Sequence, residues 1–388
     1  MSFSTQHHNS RSAAATRGPR RSAPIRPVRV MIVEDSPVVC ELLESLIGRD
    51  PRLQVVATAR SAEQALKILR KAAPDVISMD IRLPGMNGFE ATRRIMADRP
   101  TPIVVVAASV DADDLRISMN ALRAGALAVL EKPVLSTPAD YAVLGEQLCT
   151  RLVIMSQVNV VRQRFQPGPV TPRPQGNARA PMASARRAAG SIRMMGVVAS
   201  TGGPNALDAL LKSLPSDFPA PIALVQHITI SFHDAFVAWL KEISPLAVVE
   251  AAAGLKPKPG VVYVAPADKH LYVAREGLRV ADGEPVCLQR PSGTVLLESI
   301  AESFGTQGLG VLLTGMGEDG AAGLLAMHRA GGHTIAEDES TAVVYGMPAV
   351  AVRLGAVSES LPLHAIGPRV MKLVHSAGVG AASDEPSP

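Results

Sequence analysis

The ten residues VRVMIVEDSP, at positions 28–37, contain one complete transition from an apolar strand to a helix. The apolar run ends at two carboxylates, and the serine and proline that follow are typical of a helix N-cap and first turn. The same alternation continues to residue 155. Strands are expected at 28–33, 54–58, 75–79, 102–108 and 126–130, and helices at 37–47, 62–71, 88–96, 112–124 and 138–155. This order predicts an α/β fold with a five-stranded parallel sheet covered on both faces.

A second series of alternating strands and helices begins at residue 194. Its strands are expected at 194–199, 222–226, 246–250, 261–265, 271–274, 309–314 and 333–336. The closely spaced pair of strands around 261–280 predicts a β-hairpin within an otherwise parallel sheet. The chain is therefore predicted to contain two doubly wound α/β domains, the second of them mostly parallel.

The segments outside these two series have a different composition. Residues 1–27 are rich in Ser, Ala, Arg and Pro, and residues 156–191 contain five prolines among scattered arginines and glycines. Neither segment shows a helical or strand period. We expect a disordered tail at 1–27, a flexible linker at 156–191 and a second disordered tail at 373–388.

The net positive charge of the chain comes from the N-terminal tail and from the linker region. The net charge is +4, but residues 1–27 carry five arginines and residues 156–193 carry seven, with no acid in either, so the remainder carries +4 − 12 = −8. Neither interleaved aromatic residues nor a helix-turn-helix pattern accompanies the arginines. Nucleic acid is therefore not an expected partner, and a DNA-binding regulator is disfavoured.

Hydropathy and cysteine spacing indicate the compartment. No apolar run reaches the roughly 18 residues of a membrane helix, and the basic N-terminus lacks the apolar segment of a signal peptide. These features predict a cytoplasmic protein without membrane insertion. Cys40, Cys149 and Cys287 lie far apart without CxxC spacing, which favours buried free thiols over disulfides or a zinc site.

Chemically active side chains follow the strands of the first predicted sheet. Glu34 and Asp35 follow the first strand, Asp80 the third, Ser109 the fourth and Lys132 the fifth. Ligands bind at the carboxyl ends of the strands in such sheets, and clustered carboxylates favour a hard cation such as Mg²⁺. Taken alone, Asp35 with the following Ser36 and Pro37 also fits a helix N-cap, and Lys132 alone also fits a charge on the surface. The ordered set favours a site where the aspartate after the third strand accepts a phosphoryl group.

A turn of small residues follows the first strand of the second series. Ser200-Thr201-Gly202-Gly203 separates the apolar run 194–199 from a helix predicted at 204–214. Backbone N–H groups at such a turn can bind a phosphate or stabilise an oxyanion beside a nucleophilic serine. The spacing matches neither GxxxxGK[ST] nor GxSxG, so helix capping without chemistry also fits the turn.

A base and an orienting acid for such a serine are present farther along the chain. His227 ends a predicted strand, and Asp319 follows another within the run TGMGEDG at 314–320. Together with Ser200 they predict a catalytic triad at one edge of the sheet. His233 is a competing base, but it falls at or within the next helix. The backbone N–H of Met316 is a candidate oxyanion donor, although the flanking glycines also fit a role in packing.

Residues 28 to about 150 resemble a response-regulator receiver domain, because the run SMDIRLPGMNG at 78–88 is similar to that family's phosphoacceptor segment. The resemblance implies that Asp80 is the phosphoacceptor and that a histidine kinase is the phosphodonor. It assigns Mg²⁺ to Glu34, Asp35 and Asp80, a switch role to the Ser109 hydroxyl and phosphate binding to Lys132. Two departures are Glu34 in place of the commoner aspartate and Val129 in place of a switch aromatic.

Residues 192 to about 372 resemble the catalytic domain of chemotaxis protein-glutamate methylesterases. The matching motifs are ASTGGP at 199–204, QH at 226–227, AP at 265–266 with His270, LTGMGEDG at 313–320 and YGMP at 345–348. The resemblance makes Ser200 the nucleophile, His227 the base and Asp319 the orienting acid, with Thr201 and Met316 beside the oxyanion. Departures occur after residue 227, where prolines are common in the family, and at residues 293–294.

Together the two resemblances imply how the domains of the chain are organised and which reaction it catalyses. A receiver domain at 28–155 would control a catalytic domain at 192–372, which needs no cofactor. The implied reaction is hydrolysis of glutamate methyl esters on methyl-accepting chemoreceptors, with deamidation of receptor glutamines as a related activity. Phosphorylation is expected to relieve blockage of the active site by the receiver domain. The alternative is a phosphorylation-dependent binding module that holds a partner protein without turnover.

Overall fold

The computed structural model describes residues 26–107, 119–122, 124–132, 138–158, 160 and 192–375. Within them the chain forms two parallel sheets, each with helices packed against it. Most of the expected tails and linker, and most of the helix predicted at 112–124, lie outside the described residues. Residues 373–375, expected at the start of the second tail, belong to the helix Leu363–His375.

The first sheet has five parallel strands in the order β2-β1-β3-β4-β5. Its strands are β1 Val28–Val33, β2 Leu53–Ala59, β3 Val76–Met79, β4 Ile103–Ala107 and β5 Ala128–Glu131. Its described helices are α1 Pro37–Gly48, α2 Ala62–Ala72, α3 Gly88–Asp98 and α4 Pro138–Met155. The observed order confirms the predicted five-stranded parallel fold, since each crossover brings the chain back to the same end of the sheet.

Local capping explains where the first three helices begin. Ser36 accepts a hydrogen bond from the N–H of Val39 at 3.4 Å, ahead of Pro37 in the first turn. The side chains of Ser61 and Asn87 cap the two following helices in the same way, with donor–acceptor distances of 3.2 and 2.9 Å. These side chains satisfy N–H groups that have no acceptor within the helix.

The second sheet has seven strands in the order β14-β13-β12-β6-β7-β9-β8, and every pair is parallel. Its strands are β6 Met194–Ala199, β7 Ile222–Gln226, β8 Ala247–Glu250, β9 Val261–Val264, β12 Gly308–Leu312, β13 His333–Glu337 and β14 Glu359–Leu361. The helices of this part are α5 Gly203–Lys212, α6 Ile230–Ile243, α7 Gly293–Phe304, α8 Ala321–Arg329, α9 Met347–Arg353 and α10 Leu363–His375, with a 3₁₀ turn at Gly305–Gln307.

A hairpin is present in this region, as predicted, but its second strand is the unpredicted segment Leu278–Ala281, and it lies outside the large sheet. Strands β10 His270–Val273 and β11 Leu278–Ala281 pair with each other in a separate antiparallel sheet. The expected pairing within the large sheet is wrong because β9 already has β7 on one side and β8 on the other. The three-residue edge strand β14 was not predicted, since so short a run carries no clear period.

The three central strands of the large sheet are buried along their whole length. All six residues of β6 and all five of β7 and of β12 are buried. Parallel strands covered on both faces are apolar throughout their length. Because β12, β6 and β7 are neighbours, the loops that leave their carboxyl ends meet at one edge of the sheet.

The cysteines are free, as predicted, but only two of them are buried. Cys40 and Cys149 lie in the core of the first domain, whereas Cys287 is exposed. The expected burial of Cys287 is wrong because it lies in a turn between Val286 and Gln289, outside both sheets.

Within the described ranges, no helix combines the length and the hydropathy that crossing a membrane requires.

Candidate active site

Ser200 lies in the turn between β6 and α5, at the centre of the carboxyl edge of the large sheet. Its N–H donates to the carbonyl of Thr314 at 3.0 Å, and its own carbonyl accepts from Gly203 at 2.8 Å. Gly202 has a φ of +79°, and a Cβ there would collide with Val343. The turn therefore requires glycine at this position, and it holds Ser200 and Thr201 in a largely buried place.

His227 directly follows β7, so the neighbouring strand brings it to the same edge as Ser200. Its Nε2 lies 2.8 Å from Oδ2 of Asp319. An ionised carboxylate only accepts hydrogen bonds, so Nε2 carries a proton, and when the ring is neutral the lone pair is on Nδ1. Nδ1 is buried and has no hydrogen-bond partner among the described residues.

No hydrogen bond joins Ser200 to His227 within the part of the chain that the structure describes. Nucleophile–base contacts are often long in unliganded enzymes and tighten when substrate binds. The structure therefore brings the predicted triad residues to one edge, with the pair His227–Asp319 in contact and Ser200 on the adjacent loop.

Asp319 is held by the start of helix α7. Its carboxylate accepts from the Ser292 hydroxyl and the Gly293 N–H, both at 2.6 Å, and from the Thr294 N–H at 3.0 Å. Burial alone would raise the pKa of Asp319, but the hydrogen bond and charge of His227 and the Ser292 hydroxyl lower it to about 2. The orienting acid is therefore ionised at neutral pH.

Sequence reasoning missed these supports. It treated residues 293–294 only as a departure from the family pattern, whereas the structure makes them anchors of Asp319. The available signal was Ser292, a residue type preferred at a helix N-cap, which also accepts from the N–H of Val295 at 3.4 Å. Nothing local indicates that a cap would also donate to a residue 27 positions away.

Gln226 is a second support that sequence reasoning named only as part of a motif. Its side-chain Nε2 donates to the carbonyl of Ser200 at 2.8 Å and to that of His227 at 2.9 Å. One buried amide thus fixes the backbone of the nucleophile loop relative to the backbone of the base.

Two backbone N–H groups near Ser200 are available to a ligand. Those of Thr201 and Met316 donate to no acceptor among the described residues. A Cβ at Gly315 would lie 2.7 Å from Cβ of Ser200, so the second loop reaches the nucleophile closely only because residue 315 is glycine. Free N–H groups beside a serine can stabilise the oxyanion of a tetrahedral intermediate.

Glu337 lies beneath this loop, at the end of β13. It is fully buried, and its Oε2 accepts from the Thr314 N–H at 2.8 Å. Burial raises the pKa of Glu337, and the hydrogen bond from Thr314 only partly offsets it. Thr314 in turn accepts from Ser200, so the carboxyl supports the nucleophile turn from below.

The first sheet carries the predicted acidic cluster at its carboxyl edge. One oxygen each from Glu34, Asp35 and Asp80 lies within 4.8 Å of the others. Lys132 Nζ lies 2.8 Å from Glu34 Oε2 and 2.9 Å from Asp80 Oδ2. Ser109, the predicted switch hydroxyl, lies outside the described residues.

The protonation of this cluster follows from its burial. Burial raises the pKa of Asp80 and of Glu34, and the Lys132 ammonium partly counters it. For Lys132, burial would lower the pKa, but hydrogen bonding to Glu34 and the charge of Asp80 raise it. Glu34 Oε2 and Asp80 Oδ2 are buried without an aligned hydrogen bond among the described residues, although both lie close to the ammonium. Such a set of oxygens fits a hard cation such as Mg²⁺.

The two domains meet beside Ser200. Arg151 of α4 donates from Nη1 to the Thr201 hydroxyl at 3.4 Å, and burial lowers the pKa of this arginine. Val343 and Val344, which flank the nucleophile turn, pack against the hydrophobic core of the first domain. A second contact is the hydrogen bond from Ser231 to Glu131 at 3.0 Å.

The fold and its two sites define a receiver-linked hydrolase of the α/β class, with an acidic cluster and lysine on one sheet and Ser200, His227 and Asp319 on the other. The chain matches the family model for CheB methylesterase over residues 195–370 and that for the response regulator receiver domain over residues 30–139. It belongs to the protein-glutamate methylesterase/protein-glutamine glutaminase family. Both resemblances seen in the sequence are therefore confirmed.

Relatives in this family match nearly end to end. The chain is 53% identical over 348 residues to "Protein-glutamate methylesterase/protein-glutamine glutaminase 2" of Paramagnetospirillum magneticum, covering 90% of this chain and 98% of that protein. It is 41% identical over 356 residues to "Protein-glutamate methylesterase/protein-glutamine glutaminase 4" of Myxococcus xanthus, covering 91% and 98%.

Two solved structures are also similar to parts of the chain. The CheB methylesterase catalytic domain of Thermotoga maritima is 36% identical, with 48% of this chain and 99% of that chain covered and a TM-score of 0.46. The response regulator domain of Thermotoga maritima CheB is 30% identical, with 34% and 99% covered and a TM-score of 0.31.

Proposed function

We propose that this chain is a phosphorylation-activated methylesterase that hydrolyses glutamate γ-methyl esters on methyl-accepting chemoreceptors. The observation that carries the proposal is the contact between His227 and Asp319 at 2.8 Å, with a free Nδ1, at the edge where Ser200 begins its turn. Family membership sets the reaction class, and this geometry supplies a nucleophile, a base and an orienting acid for it.

In the first half of the reaction Ser200 Oγ attacks the ester carbonyl carbon, and Nδ1 of His227 takes the hydroxyl proton. The N–H groups of Thr201 and Met316 stabilise the oxyanion that forms. Collapse of this intermediate breaks the bond to the methoxy group, which leaves as methanol with the proton from His227. The glutamyl group is then an ester of Ser200.

In the second half a water molecule attacks the acyl-enzyme, and His227 again takes and returns one proton. The products are the free glutamate carboxylate and regenerated Ser200. Asp319 stays ionised throughout, because its pKa of about 2 lies far below neutral pH, and it stabilises the protonated imidazole. A receptor glutamine enters the same sequence with ammonia as the leaving group, which accounts for the deamidase activity included in the proposal.

The first domain supplies the control. Asp80 accepts a phosphoryl group from a histidine kinase, and Lys132, already 2.9 Å away, binds its oxygens together with Ser109. Glu34, Asp35 and Asp80 would hold a Mg²⁺ ion, which would neutralise charge on the incoming phosphoryl group. The esterase chemistry itself uses only side chains of the chain.

Control reaches the esterase through the contact between the domains. Arg151 lies against Thr201, one residue from the proposed nucleophile, and this contact supports the proposal that the first domain hinders access of substrate to Ser200. Phosphorylation of Asp80 relieves this blockage in the proposal. In this scheme the receiver domain spans residues 28–155, the linker residues 156–191 and the catalytic domain residues 192–372. The protein acts in the cytoplasm.

The test is methanol release from methylated chemoreceptor fragments. Wild type, Ser200→Ala and Asp80→Asn are compared with and without acetyl phosphate and Mg²⁺. We expect wild type to release methanol faster when the phosphodonor is present. Ser200→Ala should release none, and the rate of Asp80→Asn should be the same with and without the phosphodonor. Receptor binding without any methanol release would instead support the binding-module alternative.

A further inference from the structure

A second cluster of possible metal ligands lies at the far end of the carboxyl edge, away from both sites described above. It is formed by His233 and Asp234 in the first turns of α6 and by Glu250 at the end of the edge strand β8. One donor atom from each of the three lies within 4.8 Å of the other two. Strands β7 and β9 separate β8 from the strand that carries the nucleophile turn.

The histidine of this cluster is the unusual member. His233 is 5% exposed, and its Nε2 is buried without a hydrogen-bond partner among the described residues. That nitrogen lies 3.3 Å from Oε1 of Glu250, close enough for an ion pair but without hydrogen-bond alignment. Leaving a buried polar nitrogen unsatisfied is unfavourable. A ligand between the imidazole and the carboxylates would remove that cost.

The chemistry of the donors selects the ligand. One imidazole with two carboxylates suits borderline transition metals, above all Zn²⁺, whereas Mg²⁺ prefers an all-oxygen set. We propose that His233, Asp234 and Glu250 bind one divalent transition-metal ion, with Zn²⁺ as the best match. Asp234 and Glu250 are exposed, so the ion has a path from solvent while the imidazole anchors it from the interior.

The position of the site assigns it a structural role. Helix α6 begins at Ile230, three residues after His227, and β8 is the outermost strand on that side of the sheet. A metal ion shared by helix and strand ties the edge strand to the helix that continues the catalytic loop. We expect bound metal to raise the thermal stability of the protein, and no step of ester hydrolysis involves it.

Isothermal titration calorimetry tests this inference. The full chain is first treated with EDTA, which is then removed, and is titrated with ZnCl₂. All proteins carry Asp80→Asn, which removes one ligand of the acidic cluster in the first domain. The test variants are His233→Leu and Glu250→Gln, and the matched control is His364→Leu, which removes an exposed histidine from α10. We expect one Zn²⁺ site in the control and a loss of affinity of at least about tenfold in both test variants.

Two further readouts keep the test decisive. Co²⁺ should produce a visible absorption band in the control that His233→Leu lacks, and Zn²⁺ should raise the melting temperature of the control only. Glu250→Gln alters an exposed side chain, so it reports on the site even if His233→Leu folds poorly. Zn²⁺ binding with unchanged affinity in either test variant would overturn the proposal, since it would place the metal elsewhere.

Discussion

At the residue scale, the Asp319 carboxylate is held by four hydrogen-bond donors. It accepts hydrogen bonds from one imidazole, one hydroxyl and two backbone N–H groups, and its pKa falls from 3.8 to about 2. A lowered pKa means that the folded state favours the ionised form. The resulting stability is present above pH 3.8 and is lost as pH falls towards 2.

Asp319→Asn tests this view. The amide cannot stabilise the protonated imidazole, so we expect kcat for methanol release to fall by about 10²- to 10⁴-fold. Circular dichroism should also show that the variant has lost the part of the acid-unfolding profile that Asp319 contributes between pH 3.8 and about 2. Asp217→Asn, at an exposed position, is the control. An Asp319→Asn enzyme with wild-type kcat would remove Asp319 from the catalytic scheme.

Glu337 is the opposite case, because burial raises its pKa above 4.5. A raised carboxyl pKa means that the folded state favours the proton, so stability declines as pH rises above 4.5. In Glu337→Gln the neutral amide can still accept from Thr314. We expect the urea midpoint of the variant to exceed that of wild type at pH 8 and to match it more closely at pH 5.

Glu339→Gln is the control for that comparison, since it makes the same change at an exposed position two residues away. In Glu339→Gln the urea midpoint should change between pH 5 and pH 8 by the same amount as in wild type. An equal response of both variants would show that Glu337 pays no cost for its charge in the fold.

At the element scale, the start of α7 has two roles. Ser292 caps the helix through the Val295 N–H and donates to Asp319 at 2.6 Å. We expect Ser292→Ala to cost about 1 kcal/mol of stability as a lost cap and also to lower kcat several-fold, because the carboxylate loses a donor. Urea unfolding and methanol release measure the two effects separately.

Ser61→Ala is the matched control, because Ser61 caps α2 of the first domain in the same way and lies far along the chain from Asp319. It should cost similar stability without lowering kcat of the phosphodonor-activated enzyme. If both variants lowered kcat equally, the effect of Ser292 would be one of general stability.

At the scale of the whole molecule, the contact of Arg151 with Thr201 is the feature to test. Arg151 is half-buried, and no ion pair to a carboxylate is found for it among the described residues. We expect Arg151→Ala to raise methanol release several-fold in the absence of phosphodonor, because the first domain then covers the nucleophile turn less firmly. The stimulation by acetyl phosphate should shrink in proportion.

Arg70→Ala is the control for the loss of a charged side chain, since Arg70 lies exposed on α2 in an ion pair with Asp98. Its basal and stimulated rates should equal those of wild type. Unchanged basal activity in Arg151→Ala would show that this contact does not restrain the esterase.

Much of the fold follows from local pattern. The alternation of apolar runs with capped helices predicted both parallel sheets, and the residues after each strand predicted which side chains would share an edge. Ser200, His227 and Asp319 reach one edge because their strands, or the strands before them, are neighbours in the sheet. Strand ends in a parallel sheet are a general place for ligands, so this much needs no knowledge of side-chain contacts.

The sequence by itself thus determined the α/β class of both domains, the serine turn and the members of the acidic cluster, because each is predicted by a local pattern: alternating strands and helices, a run of small residues, or a polar residue directly after a strand. Only the tertiary structure decided that Ser292 and Thr294 hold Asp319, that Arg151 reaches Thr201, and that Glu250 faces His233. These pairs join residues from 17 to 50 positions apart, since 250 − 233 = 17 and 201 − 151 = 50. Such contacts depend on how whole elements pack, and no local period of the sequence encodes that packing.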